Sequence, residues 1–258
     1  MPTDAAGHAT DLAREAIAAG ADLILVLGGD GTINEAANGM IGSRVPLGIL
    51  PGGTANVLVN ELGLGNRLER AIERLGQCVE RRIAVGKLCN MQGAARHFLL
   101  MGGAGLDATI VTKVNPRLKA ASGKLAYWVA GFGEFFRSVG QFEATVNGER
   151  QRCGFVLASR VRNYGGDMEI ASGASLLSED FEVVLFQGSN PLRYAVYMLA
   201  VMVRQVQSLP GVRTVRARRV EFSGVAHLQI DGEYGGGLPA SLEMAPDALT
   251  LLAPRGYR

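Results

Sequence analysis

The chain has 258 residues, 48% of them hydrophobic and 19% charged, and its 26 basic and 24 acidic side chains leave a formal charge of +2. So much apolar surface excludes intrinsic disorder, and so small a net charge predicts neither a nucleic-acid binder nor an acidic-surface protein. The 35 glycines are roughly twice the usual share and follow no three-residue period, which excludes collagen and means that they are bunched for local reasons.

Residues 10–19 (TDLAREAIAA) carry Leu12, Ala16 and Ile17 at helical spacing, with Gly20 as a stop signal. The continuous apolar run after Asp22, ending at Gly28, predicts a buried parallel strand. GGDGT turns into a second helix over about 32–40, VPLGIL (45–50) predicts another buried strand, and PGGTAN leads into a third helix from near Thr54. A fourth helix is predicted over 67–80. Strand, glycine turn and helix, twice over, is the grammar of an open α/β sheet, which binds ligands beyond the carboxyl ends of its strands. After about Arg82 the pattern changes to short strands (RRIAVGKL, RHFLLM, QFEATVN, GFVLAS, FEVVLF, TVRARRVEF, AHLQI), with helical insertions at about 121–138 and 192–206. These predict a mostly antiparallel, sandwich-like second domain, with SLEMAPDALTLLAP as a last strand returning to the junction. The expected domains are therefore 1–82 and 83–258.

Cys78, Cys89 and Cys153 show no metal or redox spacing and suit a reducing cytoplasm. With only His8, His97 and His227, an imidazole-rich metal site is not expected. The first residues lack a signal peptide's basic head and apolar run. The longest apolar stretch, Tyr194 to Val203, is ten residues, about half of a bilayer span. For the amphipathic 192–206 segment, with Tyr194, Val196, Leu199, Val201 and Val203, core packing is the expectation and membrane contact the second reading; core packing is also the expectation for Tyr127 and Trp128. Arg213, Arg216, Arg218 and Arg219 read as a solvated strand face, with contact to anionic lipid headgroups as the second reading.

The chemistry is concentrated in the two glycine turns. Gly28, Gly29, Asp30, Gly31 and Thr32 sit between a strand and a helix whose first amides form a natural phosphate site. Asp30 reads either as an N-cap or as a metal-bridging or catalytic carboxylate. Pro51, Gly52, Gly53, Thr54, Ala55 and Asn56 repeat the arrangement one unit later, so two neighbouring strand ends can build one phosphate cradle. Thr32 and Thr54 supply hydroxyls to it, and Asn34 and Asn56 supply amides. Neither a P-loop nor a GxGxxG fingerprint is present.

GGDGTINEAANG followed by PGGTANVLVNELGL resembles the diacylglycerol kinase catalytic family in its bacterial lipid-kinase branch. The resemblance continues through GKLAYWVAGF, NYGGDMEIASGASLL and IDGE. It implies an open Rossmann-like α/β nucleotide-binding domain followed by a β-sandwich, with ATP between them. It also implies Mg2+-dependent transfer of the γ-phosphoryl group to a lipid hydroxyl at a membrane surface. Carried over residue by residue, the ATP contacts fall on Gly28, Gly29, Asp30, Gly31, Thr32, Ile33 and Asn34, on Thr54, and on Thr3 by its spacing to Gly7 and the glycine turn; Gly52, Gly53 and Asn56 of the second turn complete the expected binding set. The general base falls on Glu233, with Asp231 beside it and Asp30 as a further catalytic carboxylate; Asp231-Gly232 also reads as a hairpin turn. A structural Mg2+ site falls on Asp180 with the carbonyls of Leu177 and Glu182. Phe181 replaces the family's usual glycine there, and a solvated loop carboxylate is the other reading of Asp180.

Relative to the family, the chain begins at the end of the second strand, so a first strand–helix–strand unit is expected to be missing, through either a late start codon or a true truncation. The expected function is that of an ATP- and Mg2+-dependent lipid kinase, cytoplasmic or peripheral at the inner membrane face, with no nucleic-acid partner. The alternatives are a kinase of a soluble substrate such as NAD and a catalytically inactive nucleotide- or lipid-binding remnant.

Overall fold

The computed structural model describes residues 1–90, 95–105, 139–165 and 168–258. The predicted helix at 121–138, with Tyr127 and Trp128, lies outside them. In chain order the first part runs α1 (His8–Ala18), β1 (Ile24–Gly28), α2 (Asp30–Met40), β2 (Leu47–Pro51), α3 (Val57–Glu61) and α4 (Leu68–Leu75). β1 and β2 pair in parallel from Ile24 opposite Leu47 to Gly28 opposite Pro51. The shared register brings both strands to an end at one level, with a glycine turn beyond each.

β2 is buried along Leu47–Leu50, as its unbroken apolar run predicts. β1 is not buried in the same way. It is the edge strand, so Ile24 and Val26 pack on the core while Leu25 and Leu27 face outward, 50% and 58% exposed. A run apolar at every position looks the same in sequence whether one or both faces are covered.

β3 (Cys78–Asn90) passes through residue 82 without a break and pairs antiparallel with β15 (Ala240–Pro254) along almost its whole length. β15 also meets β2 in parallel, Leu251 opposite Leu47, and β12 (Arg219–Ser223) antiparallel. One mixed sheet therefore continues from the α/β part into the antiparallel part. The latter is built from β4 (Arg96–Phe98), β5 (Met101–Gly105), β6 (Phe142–Val146), β7 (Glu149–Ser159), β10 (Phe181–Gln187), β11 (Val212–Ala217), β13 (His227–Ile230) and β14 (Glu233–Gly237). β8 (Asn163–Tyr164) and β9 (Met168–Glu169) form a small hairpin of their own. A second core cluster lies within the sandwich, where Phe98 stacks on Phe181 with centroids 5.8 Å apart and Phe142 meets Phe222 edge-on at 6.0 Å. The fold is thus an α/β domain followed by a β-sandwich. α5 (Pro191–Met202) packs beside it, and no helix among the described residues is long and apolar enough to cross a membrane.

Candidate active site

The two glycine turns touch. A side-chain carbon on Gly53 would stand 2.6 Å from Gly29 Cα, and one on Gly52 would stand 2.8 Å from both the N and the Cα of Gly28. Those distances are shorter than any tolerable contact with backbone, so glycine is required wherever the turns cross. Asp30 fastens the same pair from the side. Its two carboxylate oxygens accept from the amides of Val57 (3.0 Å) and Leu58 (3.1 Å), the first two residues of α3. Asp30 therefore caps the next helix along the sheet, a tie between the two turns that neither reading of its sequence context contained.

Each turn is further ordered from within. Asn56 adopts a left-handed φ of 45° and its side chain both accepts from Gly53 N (2.8 Å) and donates to Gly53 O (2.9 Å). Ile33 is buried, and its amide is the first in α2 to find a helical carbonyl, that of Gly29. The helix amides ahead of it, of Asp30, Gly31 and Thr32, have no carbonyl one turn back and point out of the N-terminus. Asn34 is buried, with Asn38 donating to its backbone and side-chain oxygens. Gly52, Gly53 and Thr54 are exposed and leave the cradle open. Thr3 lies apart from the turns in sequence, exposed in the residues without regular structure before α1.

The acidic hairpin of the second domain reaches this cradle. Asp231 and Gly232 form the two-residue turn between β13 and β14, both at positive φ (48° and 79°), as the Asp-Gly hairpin signal predicts. Glu233 follows, and a side-chain carbon on Gly31 would lie 3.4 Å from its Oε1. The general-base candidate thus sits against the middle of the GGDGT turn. The other oxygen, Oε2, accepts from the guanidinium of Arg96 on β4. Sequence reading missed Arg96, because a lone arginine at the start of a short strand carries no signal.

Asp231 faces inward. Its carboxylate accepts from the amides of Leu99 (2.8 Å), Leu100 (2.9 Å) and Met101 (2.9 Å), and its own amide donates to Met101 O (2.9 Å). These bonds pin the hairpin to the chain just beyond Arg96, which fixes Arg96 and Glu233 relative to each other. Behind that bend the fully buried Arg160 donates to Leu99 O (2.9 Å) and Leu176 O (2.8 Å). Burial pushes the Asp231 carboxyl up to about 6, with the three amides opposing and the nearby Asp30 adding to the rise. A carboxyl raised on folding holds its proton longer in the folded state, so its stability contribution is complete below about pH 4 and is lost as pH rises through about 6. The expected size is on the order of 3 kcal/mol. It is checked by comparing the pH dependence of chemical denaturation in the wild type and Asp231→Asn between pH 4 and 7, where only the wild type should show this fall.

A second polar tie joins the domains. Glu61, at the end of α3, is buried and accepts from Arg162 N (3.1 Å), Arg162 Nε (3.3 Å) and the Tyr257 hydroxyl (2.9 Å). The helix capped by Asp30 at its start is thereby held by the second domain at its end.

Around the residues implied for a structural Mg2+, the carboxylates are engaged by protein donors. Asp180 accepts from Arg216 Nη2 at 2.5 Å, and the same guanidinium donates to Gly173 O (2.7 Å) and Ser178 Oγ (2.8 Å). The Glu182 carboxylate is buried and takes Gln207 Nε2 at 2.8 Å, with Arg216 3.8 Å away. Leu177 lies in the exposed part of the loop. The positive charge of this loop is Arg216, and among the described residues no cluster of three His, Cys, Asp or Glu is arranged for a metal. If Arg216 serves Asp180 in place of an ion, Asp180→Asn leaves any Mg2+-dependent melting shift unchanged; a smaller shift by calorimetry would support the metal role. The other arginines of that stretch are paired as well, Arg213 with Glu149, Arg218 with Glu179, and Arg219 with Glu221 and Glu243.

Comparison with known proteins returns the same two parts, an α/β domain followed by a β-sandwich. The sequence model of the "Diacylglycerol kinase catalytic domain" matches residues 1–88, and that of the "YegS C-terminal NAD kinase beta sandwich-like domain" matches residues 102–253. The chain belongs to the diacylglycerol kinase catalytic domain family, a family of lipid kinases, with the YegS-type C-terminal sandwich. It is 29% identical over 246 residues to a diacylglycerol kinase of Bacillus subtilis, covering 92% of this chain and 79% of the relative. A diacylglycerol kinase of Mycobacterium tuberculosis is 27% identical over 257 residues, covering 97% and 82%. The crystal structure of a diacylglycerol kinase from Bacillus anthracis superposes with a TM-score of 0.77 at 21% identity, covering 99% of this chain and 85% of that one, a likeness of fold.

Proposed function

We propose that the protein transfers the γ-phosphoryl group of ATP to the hydroxyl of diacylglycerol or a related lipid alcohol. The observation that carries this reading is Glu233 Oε1 against Gly31, 3.4 Å from where a side-chain carbon would begin. A carboxylate from one domain stands where the phosphate chain would lie on the other.

ATP would bind with Mg2+, which would supply neutralisation of phosphate charge. Its phosphates lie along the amides of Gly28–Thr32 and Gly52–Thr54, with the Thr32 and Thr54 hydroxyls as further donors. Glu233 takes the proton from the acceptor hydroxyl as that oxygen forms its bond to the γ-phosphorus. The bond from that phosphorus to the β–γ bridging oxygen breaks, and ADP leaves with the electron pair. Arg96, paired with Glu233, turns toward the γ-phosphoryl oxygens as ATP binds, adding charge where it builds up and releasing the base. Asp30 and Asp231 act by position, the first aligning the turns and the second fixing the hairpin.

The test is transfer of label from γ-labelled ATP, offered diacylglycerol in mixed micelles and NAD in solution. Label in the lipid fraction is the expected result. Label in NAD alone would replace the lipid reading with the soluble-substrate one, and no transfer to either would leave a nucleotide-binding protein.

A further inference from the structure

α5 is apolar on both sides. Its inner face is fully used: Tyr194, Tyr197, Ala200 and Val201 are buried, Tyr194 donates to Phe186 O (2.9 Å), and Tyr197 donates to Pro210 O (3.0 Å). The Tyr197 ring lies 5.4 Å from that of Phe186. Asn190 caps the helix through Leu192 N (2.9 Å), ahead of Pro191 in the first turn. The outer face carries Leu192, Val196, Leu199, Met202 and Val203, between 51% and 67% exposed. Spacings of four, three and four residues from 192 to 203 put these side chains on one stripe. An expectation of core packing therefore holds for half the helix and fails for the other half.

Charge separates the possible occupants. From Asn190 to Gln205 there is no acidic residue, and the two charges are Arg193 and Arg204, both exposed, one near each end of the stripe. The arginines of 213–219, by contrast, all have carboxylate partners. A stripe of five side chains offers on the order of 500 Å², short of the ~800 Å² per partner that a stable dimer buries. A helix with an apolar face, cations at its margins and no anions has the composition that lies in the interface of an anionic bilayer.

We infer that the outer face of α5 docks the protein on an anionic lipid surface, with Leu192, Val196, Leu199, Met202 and Val203 entering the acyl boundary and Arg193 and Arg204 at headgroup level. The inference rests on the lipid-kinase reading for its purpose, not for its geometry. It explains how an enzyme with no spanning helix among its described residues would reach an acceptor hydroxyl held in a membrane.

The experiment is co-sedimentation with vesicles of equal parts phosphatidylglycerol and phosphatidylcholine, and with phosphatidylcholine alone, for the wild type and Leu199→Glu/Val203→Glu. Both positions are exposed, so the variant should melt with the wild type. The wild type should bind the anionic vesicles and the variant should bind at least about tenfold more weakly. Phosphorylation of a water-soluble short-chain diacylglycerol should be the same in both, while that of a long-chain diacylglycerol in vesicles should fall in the variant. Equal vesicle binding by the two proteins would overturn the inference, as would a wild-type dimer that the variant dissociates in sedimentation velocity. Vesicle binding lost in the variant, with no label reaching lipid from either protein, would support the docking face and reject the lipid-kinase reading.

Discussion

Glu233→Gln is expected to lower turnover by roughly 10²–10⁴-fold, the usual contribution of a general base, while ATP binds at least as tightly as in the wild type. The first half follows from Glu233 Oε1 standing against Gly31 in the cradle. The second follows from Arg96, which is engaged by Glu233 Oε2. A neutral amide holds a guanidinium less firmly than a carboxylate does, so the substitution frees a cation for the γ-phosphate. Calorimetric ATP titration beside a labelled-transfer assay separates the two effects. Near-normal turnover would move the base elsewhere, and Asp30 would be a poor substitute because both its oxygens already accept amides from α3.

Asp30→Ala is expected to weaken ATP binding and to lower transfer together, by at least about 10²-fold in kcat/KM, the scale set by small misplacements of reacting groups. Without the carboxylate the amides of Val57 and Leu58 lose their acceptor, at a cost of about 1–3 kcal/mol in stability. The larger effect is geometric, because Asp30 is the side-chain tie that holds the second glycine turn in line with the first. Asp30→Asn keeps one oxygen acceptor and should recover part of the melting temperature but less of the activity. Unchanged nucleotide affinity in Asp30→Ala would mean that the turns align through their glycine contacts alone.

The parts of this site that were legible are those that local rules encode. Two apolar runs, each followed by a glycine cluster and a helical pattern, announced parallel strands with turns at one end, and Asp231-Gly232 announced its hairpin. The rest depends on partners distant in the chain. Asp30 meets amides 27 and 28 residues on, Asp231 meets amides more than a hundred residues back, and a backbone amide acceptor site leaves no residue-type signature. The Arg96–Glu233 pair spans 137 positions and involves two residue types that usually mean only a solvated surface. Asp180 has a distant partner of the same kind. A carboxylate in a family motif points to a metal, and only the fold brings Arg216 of a strand 36 positions on against it. Hydrophobic pattern was blind to which face is covered, both at the edge strand β1 and along α5, since an apolar residue reads the same on either side.

The central claim is that one phosphate site is assembled from both domains. Hydrogen exchange with and without a non-hydrolysable ATP analogue and Mg2+ measures it most directly. Protection should rise together in residues 28–34, 52–58, 96–101 and 230–234. Protection confined to the two glycine turns, with the Arg96 strand and the Glu233 hairpin unchanged, would contradict it.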